Sequence, residues 1–225
     1  MITTPKRSQD GLTFKLTYSD SHGTEHTHIR SRGRFMETTL RGVDFDCDDM
    51  DCLTPKEGQD PKLISQFQFH NRDVCDCLIS VEIPVLAKID QQETEIDFTF
   101  TIDLGPPNKE RPHSLTHRIY TISTILPDET KLESRTGSIE DSLLQIISQL
   151  PDTIELRCCF TCAFSDYSPT GNCEFGTMLC FRNIKDEYSQ LKGKDILDLQ
   201  EDDLVQETDY CKEWQQRKPD TGYRG

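Results

Sequence analysis

Alternation of apolar and polar residues is the commonest pattern along the chain, and it predicts strands with one buried and one solvated face. The clearest examples are residues 79–85 and 96–104, on either side of a polar turn at residues 90–93. This pair is typical of an antiparallel hairpin. Pro84 indicates an edge or a bulge, because proline has no N–H to donate to a neighbouring strand. Weaker alternation predicts further strands at residues 11–19, 24–30, 35–42, 62–69 and 115–126.

One segment has a helical period instead. Apolar residues at offsets 0, 4, 7, 8 and 11 from Ile139 form one helical face, ending at Leu150. Ser138, followed three residues later by Asp141, resembles a capping box, and Pro151 ends the segment. The sequence therefore predicts an amphipathic helix at about residues 138–150.

Residues 154–182 hold five of the ten cysteines and predict a C-terminal β-hairpin. Even-numbered positions from Ile154 to Phe164 are all apolar or cysteine, so this strand is expected to bury them. Pro169 and Gly171 provide the turn, and residues 177–182 return. The helix ends directly before this hairpin and is expected to pack near it.

These elements predict an α+β fold, mainly antiparallel β with sandwich-like sheets and the single helix across one face. No internal repeat or linker divides the chain. We expect one domain over residues 1–225, with flexible tails at residues 1–10 and 215–225.

The net charge of −15 excludes binding to a nucleic-acid backbone, because the surface repels phosphate. It is suited to a basic protein partner, or simply to solubility. Residues 1–14 contain no apolar signal segment, and no run of about 18 apolar residues crosses a bilayer. We therefore expect a cytoplasmic protein without membrane contact, in which most cysteines are reduced and pack as small apolar side chains.

Several unusual segments occur in order: CCFTCAFSDYSPTG, FGTMLCFR and the terminal TGYRG. Together with GSIEDSLLQIISQLP and the early RGVDFD, they resemble a family of bacterial proteins of unknown function. The resemblance covers much of the C-terminal half. It implies no activity, cofactor or catalytic residue.

The cysteines also permit a structural zinc site, since four thiolates satisfy a tetrahedral ion. Its ligands would be Cys159, Cys162, Cys173 and Cys180. Strand parity disfavours it, because Cys159 and Cys162 would point to opposite faces. A second hypothesis pairs Cys162 with Cys180 across the hairpin as a redox-sensitive couple.

The loop SDYSPTGN is a candidate site made of Asp166, Tyr167 and Ser168, with Arg182 nearby. The same residue types are what tight turns require, and turn chemistry is favoured. A Ser-His-Asp or Cys-His device would need a histidine from a distant segment. No catalytic residue is assigned.

An acidic segment is a candidate surface for a basic partner. It contains Asp44, Asp46, Asp48, Asp49 and Asp51. The first three imitate a calcium loop, but Asp49 replaces its glycine and Pro55 its glutamate, so that interpretation fails. A looser cation site and a merely solvated run remain as alternatives.

Three functions follow as hypotheses. The first is a non-enzymatic binding protein, such as an immunity or antitoxin-like protein, that binds a basic partner through its acidic surface and needs no cofactor. The second is a structural domain that depends on zinc or responds to redox state through the cysteine-rich hairpin. The third is an enzyme with a site near the SDYSP loop.

Overall fold

The computed structural model describes residues 11–32, 35–169, 175–191, 193–198, 203–219 and 221–224. The N-terminal tail predicted to be flexible, residues 1–10, lies outside them, as does Cys173 of the predicted zinc site. Antiparallel strands and few helices make up the described chain, which confirms the predicted fold class. No helix in these ranges is long and apolar enough to cross a membrane.

The described ranges contain fifteen strands, which are arranged in three sheets. In chain order they are β1 Leu12–Asp20, β2 Gly23–Arg32, β3 Phe35–Leu40, β4 Val43–Cys47, β5 Thr54–Pro55, β6 Gln68–His70, β7 Asp73–Cys75, β8 Cys77–Ile89, β9 Gln92–Leu104, β10 Arg118–Ile125, β11 Lys131–Thr136, β12 Ile154–Leu156, β13 Ser165–Asp166, β14 Met178–Cys180 and β15 Asp203–Val205. The helices are α1 Pro61–Ile64, α2 Ile139–Gln149 and α3 Lys185–Tyr188, with 3₁₀ helices at Cys159–Thr161 and Gly193–Asp198.

The largest sheet has the order β11-β10-β9-β8-β1-β2-β3-β4-β5, with β12 paired to β8. Its longest pair is the predicted hairpin of β8 and β9, joined through Asp90 and Gln91, which both have positive φ. Two such residues are typical of the turns that match strand twist. One edge of β8 pairs with β1 over residues 78–82 and with β12 over residues 87–89. Pro84 lies in the interval between these two partners, where no N–H is required.

Helix α2 confirms the predicted amphipathic helix. The Ser138 Oγ accepts a hydrogen bond from the Asp141 N–H at 3.1 Å and so caps the first turn. Ile139, Leu143 and Ile146 are buried against β10 and β11. They belong to the same hydrophobic core as residues of the C-terminal hairpin.

The strand predicted over Ile154–Phe164 is wrong beyond Leu156. There the Thr161 Oγ1 donates to the Leu156 carbonyl at 2.7 Å, and the chain turns into the 3₁₀ helix. A side chain that satisfies the backbone locally competes with strand pairing. As a result, consecutive residues Cys158 and Cys159 are both buried, which an alternating strand does not allow.

The C-terminal hairpin is therefore short, and its register differs from the prediction. Ser165 of β13 lies opposite Cys180 of β14, so Cys162 is not the cross-strand partner of Cys180. β15 pairs with the other edge of β14. Residues 214–217 then run beside residues 158–163, with the Ala163 N–H donating to the Gln215 carbonyl at 2.7 Å. Residues 215 and 217, at the start of the tail predicted to be flexible, thus form backbone hydrogen bonds with residues 161–163.

Candidate functional site

One face of the large sheet is solvated from β11 to β4, and we call it the outer face. The register of each strand pair shows which side chains of neighbouring strands point to this same face. The registered pairs that show this are Ser123–Glu133, Ser123–Thr99, Thr99–Glu82, Glu82–Lys15, Lys15–His28, Thr13–Arg30, Arg30–Glu37 and Glu37–Asp46. Candidate residues on distant strands therefore share this one surface.

A cavity of about 390 Å³ opens along the edge of β8, in the gap between its two partners β1 and β12. It is lined by residues 12–15 of β1, by residues 82–84 and Leu86 of β8, and by Glu95 and Asp97 of β9, and residues 208–210 close one side. Its charged groups are Lys15, Glu82, Glu95, Asp97 and Asp209. We call it the acidic cavity. Its walls also include apolar groups of Leu12, Pro84 and Leu86, which suits the stem of a long cationic side chain.

A second, shallower depression of about 610 Å³ shares Glu95 and Asp97 with the acidic cavity. It extends across β10 to Lys131 and Glu133 of β11. Ile125, which is 60% exposed, lies in this depression. Glu95 and Asp97 thus separate two concave surfaces.

The carboxylates of Glu95 and Asp97 are exposed and accept no hydrogen bond or ion pair within the described ranges. By contrast, Glu82 accepts from the Lys15 Nζ at 2.8 Å, and this bond raises the pKa of Lys15. Sequence reasoning treated Glu95 and Asp97 only as the solvated side of a strand. Nothing in the sequence indicates that residues 208–210 close a cavity beside them.

The five predicted aspartates do not form one surface. Asp44 and Asp46 are exposed on the outer face, and Asp48 is half-buried. Asp49 and Asp51 are buried, with exposed fractions of 8% and 6%. Asp51 accepts from the Tyr120 hydroxyl at 3.2 Å and forms an ion pair with Arg118 at 2.7 Å. Because Asp49 and Asp51 are buried, they are not part of an exposed partner surface. Asp51 instead connects its segment to β10 through Arg118 and Tyr120.

Ligand atoms of Asp48, Asp49 and Cys52 lie within 4.8 Å of one another. The Cys52 Sγ donates to an Asp48 oxygen at 3.3 Å. Burial, followed by the nearby Asp49 carboxylate, raises the pKa of Cys52, so its thiol stays protonated. A thiol–carboxylate hydrogen bond between Cys52 and Asp48 therefore accounts for this close grouping.

The loop candidate is a structural centre. Asp166 and Tyr167 are fully buried, whereas Ser168 and Arg182 are half-buried. The Asp166 carboxylate accepts from the Tyr188 hydroxyl at 2.8 Å, from the Tyr223 N–H at 2.7 Å and from the Arg224 Nε at 3.0 Å. Asp166 therefore binds the C-terminal tail.

Two arginines converge on this carboxylate. Arg224 Nη1 donates to the Phe160 carbonyl at 3.0 Å and its Nη2 to the Ser165 carbonyl at 2.9 Å. Arg217 lies 3.5 Å from the same carboxylate and also donates to the Ser165 carbonyl. In the sequence, these arginines belong to the tail that was expected to be flexible, and nothing there indicates that Asp166 binds them.

Glu207 is a buried acid beside this centre that sequence reasoning missed. Its carboxylate accepts from the Tyr167 hydroxyl at 2.9 Å and from the Gly176 N–H at 2.7 Å. Burial raises the pKa of Glu207 to about 7, and these hydrogen bonds only partly offset that effect. Glu207 follows an acidic stretch in the sequence, so nothing there distinguishes it from a solvated residue.

The predicted thiol ligands Cys159, Cys162 and Cys180 are all buried. Burial is the largest cause that raises the pKa of Cys159 and of Cys180. Among the described residues, these three sulfur atoms are not grouped within 4.8 Å of one another. The arrangement favours packing over ion binding, and the fourth predicted ligand, Cys173, lies outside the described residues.

Comparison with known proteins identifies the family of this chain. The model of a family of unknown function, DUF6304, matches residues 12–165. The chain belongs to this family. The matched part contains strands β1–β12 and helix α2, and therefore most of the outer face. The acidic cavity is lined by strands β1, β8 and β9, which lie within the matched residues, and by residues 208–210, which lie beyond them. No match was found among curated proteins or among solved structures.

Proposed function

We propose that this protein is a non-enzymatic binding protein that holds a basic protein partner against its outer face, as an immunity or antitoxin-like protein does. The observation that carries the proposal is the position of Glu95 and Asp97. Both are exposed, lie on one strand face two residues apart, and separate two concave surfaces. Within the described chain, neither carboxylate forms an ion pair, although the charge of Asp97 is close enough to contribute to the raised pKa of Lys15.

The charge around these two residues is unbalanced. The acidic cavity and the depression beside it contain five carboxylates against two lysines, and one lysine already binds Glu82. The carboxylates are Glu82, Glu95, Asp97, Glu133 and Asp209. A net charge of −15 extends this field over the whole molecule. Opposite charge on a partner then accelerates association and makes it sensitive to salt.

Apolar groups beside the carboxylates strengthen the case for a protein partner. Ile125 is exposed in the depression, and Pro84 is exposed in the cavity. Lysine and arginine bury an aliphatic stem while their charged ends bind carboxylates. A basic segment of a partner matches both parts of this surface.

The other two hypotheses have less support. A structural zinc site needs its ligand atoms around one ion, and among the described residues the sulfur atoms of Cys159, Cys162 and Cys180 are not grouped within 4.8 Å of one another. Burial also raises the pKa of Cys159 and of Cys180, which makes these thiols poor nucleophiles. An enzyme at the SDYSP loop would need Asp166, but that carboxylate is fully buried and binds two arginines. None of these reasons applies to the outer face.

The test is capture of a partner with charge variants of the tagged protein. The wild type, Glu95→Gln/Asp97→Asn and Asp44→Asn/Asp46→Asn are incubated with extract of cells that naturally express the protein, at low and at high salt. A fourth variant, Asp186→Asn/Glu187→Gln, removes the same charge from exposed positions of α3. Captured proteins are identified by mass spectrometry, and the dissociation constant of the purified partner is then measured for each variant.

We expect a basic partner that is released at high salt and that binds Glu95→Gln/Asp97→Asn at least about tenfold more weakly than the α3 control. Equal loss in these two variants would mean that only total charge matters and would reject the site. Loss confined to Asp44→Asn/Asp46→Asn would move the contact to β4. Absence of any basic partner at either salt concentration would reject the function.

A further inference from the structure

The tail residue Arg224 occupies a pocket built for a guanidinium. We call it the arginine pocket and define it by the Asp166 carboxylate, the carbonyls of Phe160 and Ser165, and the rings of Phe160 and Tyr167. The guanidinium carbon lies 4.5 Å from the Phe160 ring centre and 5.4 Å from that of Tyr167. All three nitrogens donate, to a carboxylate and two carbonyls. Planar donors matched by fixed acceptors discriminate arginine from lysine.

The pocket also selects the residue two positions earlier. Gly222 has φ of 69° and is buried. A Cβ on this residue would collide with the Tyr188 hydroxyl and with the Asp166 carboxylate. Only glycine lets the tail backbone approach Asp166 closely enough for the Tyr223 N–H to donate to it.

The pocket does not require a particular side chain at Tyr223, the residue between Gly222 and Arg224. Tyr223 is 37% exposed, and its N–H donates to Asp166. Backbone contacts extend the recognition, since the Gly193 N–H donates to the Gly222 carbonyl at 3.0 Å. The recognised pattern is therefore Gly-X-Arg.

The tail does not satisfy every polar atom around the pocket. Within the described residues, the buried Ser165 Oγ and Arg217 Nε have no hydrogen-bond partner. Buried groups without partners make this arrangement less stable than a fully satisfied one.

We propose that the arginine pocket is a receptor for Gly-X-Arg segments of a partner protein, and that residues 222–224 of this chain fill it in the absence of that partner. Residues 222–224 are then an intramolecular ligand. This inference uses none of the outer-face residues and does not depend on the proposed function.

The tail competes strongly because it is tethered. Only residues 218–220 connect Arg217, which is itself bound in the cluster, to Thr221. Such a short connection gives the tail an effective concentration of about millimolar or more. Binding of a free peptide can therefore be measured only with a protein variant whose own tail does not occupy the arginine pocket.

The experiment uses the full-length double variant Gly222→Ala/Arg224→Ala, whose tail lacks both recognised residues. A fluorescent acetylated peptide with the sequence TGYRG, identical to residues 221–225, is titrated and its polarisation measured. Peptides TAYRG and TGYKG serve as matched ligands, and the same double variant carrying Asp166→Asn serves as the matched receptor. Circular dichroism establishes that each variant is folded.

We expect TGYRG to bind the double variant, to bind wild type much more weakly, and to lose about tenfold or more in affinity with each peptide change and with Asp166→Asn. A folded double variant that does not bind TGYRG, or that binds TAYRG and TGYKG equally well, overturns the inference.

If the double variant does not fold, Arg224→Ala alone is titrated with N-ethylguanidinium and, separately, with ethylammonium at equal concentration. A folded fraction or melting temperature that rises with the guanidinium and not with the ammonium supports the receptor. An equal response, or none, rejects it. The proposed function is tested with different residues, so failure of one proposal leaves the other in place.

Discussion

The carboxylate of Asp166 and the guanidinium of Arg224 are 58 positions apart in the chain and 3.0 Å apart in the structure. Their side chains are 0% and 6% exposed. This ion pair joins the C-terminal tail to the short hairpin, and Arg217 lies 3.5 Å from the same carboxylate.

Asp166→Asn is expected to lower the free energy of unfolding by about 3–5 kcal/mol, because removing one partner leaves buried charge uncompensated. Urea denaturation measures the change. Asp152→Asn, at an exposed turn position, is the control and should leave stability within about 0.5 kcal/mol of wild type. A loss below about 1 kcal/mol in Asp166→Asn would contradict the central role of this carboxylate.

Glu207 makes stability depend on pH. Its pKa is about 7 in the folded protein and about 4.3 when unfolded, so the folded state binds more protons between these values. Its contribution to stability is therefore complete below about pH 4 and is lost as the pH rises through about 7. Between about pH 5 and pH 8 this amounts to roughly 3 kcal/mol.

Glu207→Gln should flatten that pH dependence and should be more stable than wild type near pH 8, because a neutral amide keeps an acceptor for Gly176. Urea unfolding at both pH values measures the difference. Glu187→Gln, on the exposed side of α3, is the control and should preserve the wild-type profile. A Glu207→Gln profile parallel to that of wild type would show that Glu207 does not titrate in this range.

Gly222→Ala should destabilise the protein, because the new Cβ meets Tyr188 and Asp166 and the residue has φ of 69°. The left-handed conformation alone costs an L-residue about 1–2 kcal/mol. Gly137→Ala is the matched control, since a Cβ there has no atom within 4 Å, and we expect it to remain within about 1 kcal/mol of wild type. Thermal unfolding of the two variants should separate them clearly, and coincident transitions would contradict the close approach.

The cysteines should differ in reactivity. Burial raises the pKa of Cys158 and of Cys159, so their thiols are both shielded and protonated. Cys211 is half-buried and should react with iodoacetamide before Cys158 and Cys159. Peptide mapping after timed alkylation measures the order, and denatured protein provides the control in which the rates converge. Alkylation of Cys159 in native protein as fast as Cys211 would contradict its packing role.

Sequence periodicity predicted the parts of the fold that repeat locally. The alternation in β8 and β9, and the helical period with its Ser138 cap, each extend over enough residues to identify the element. The segment after Leu156 failed because its apolar positions fit a strand, yet one hydroxyl, that of Thr161, bonds to the backbone and turns the chain. One side-chain hydrogen bond of this kind does not change the apolar alternation over several residues, so the alternation alone cannot predict the turn.

The candidate sites were less predictable, because each joins residues that are distant in the sequence. The acidic segment gave the charge of Asp44 to Asp51 but not the burial of Asp51, which depends on Arg118 and Tyr120. The Gly-X-Arg tail was visible, but its receptor depends on carbonyls of Phe160 and Ser165 that no side-chain pattern reports.

The divided edge of β8 has a further consequence. β1 and β12 share that edge and leave the backbone around Pro84 between them, where the cavity forms. Thr208, Asp209 and Tyr210 contribute to its wall without belonging to any of these strands. Substitutions at these three positions can therefore change the charge and size of the cavity while every strand pair of the sheet is kept.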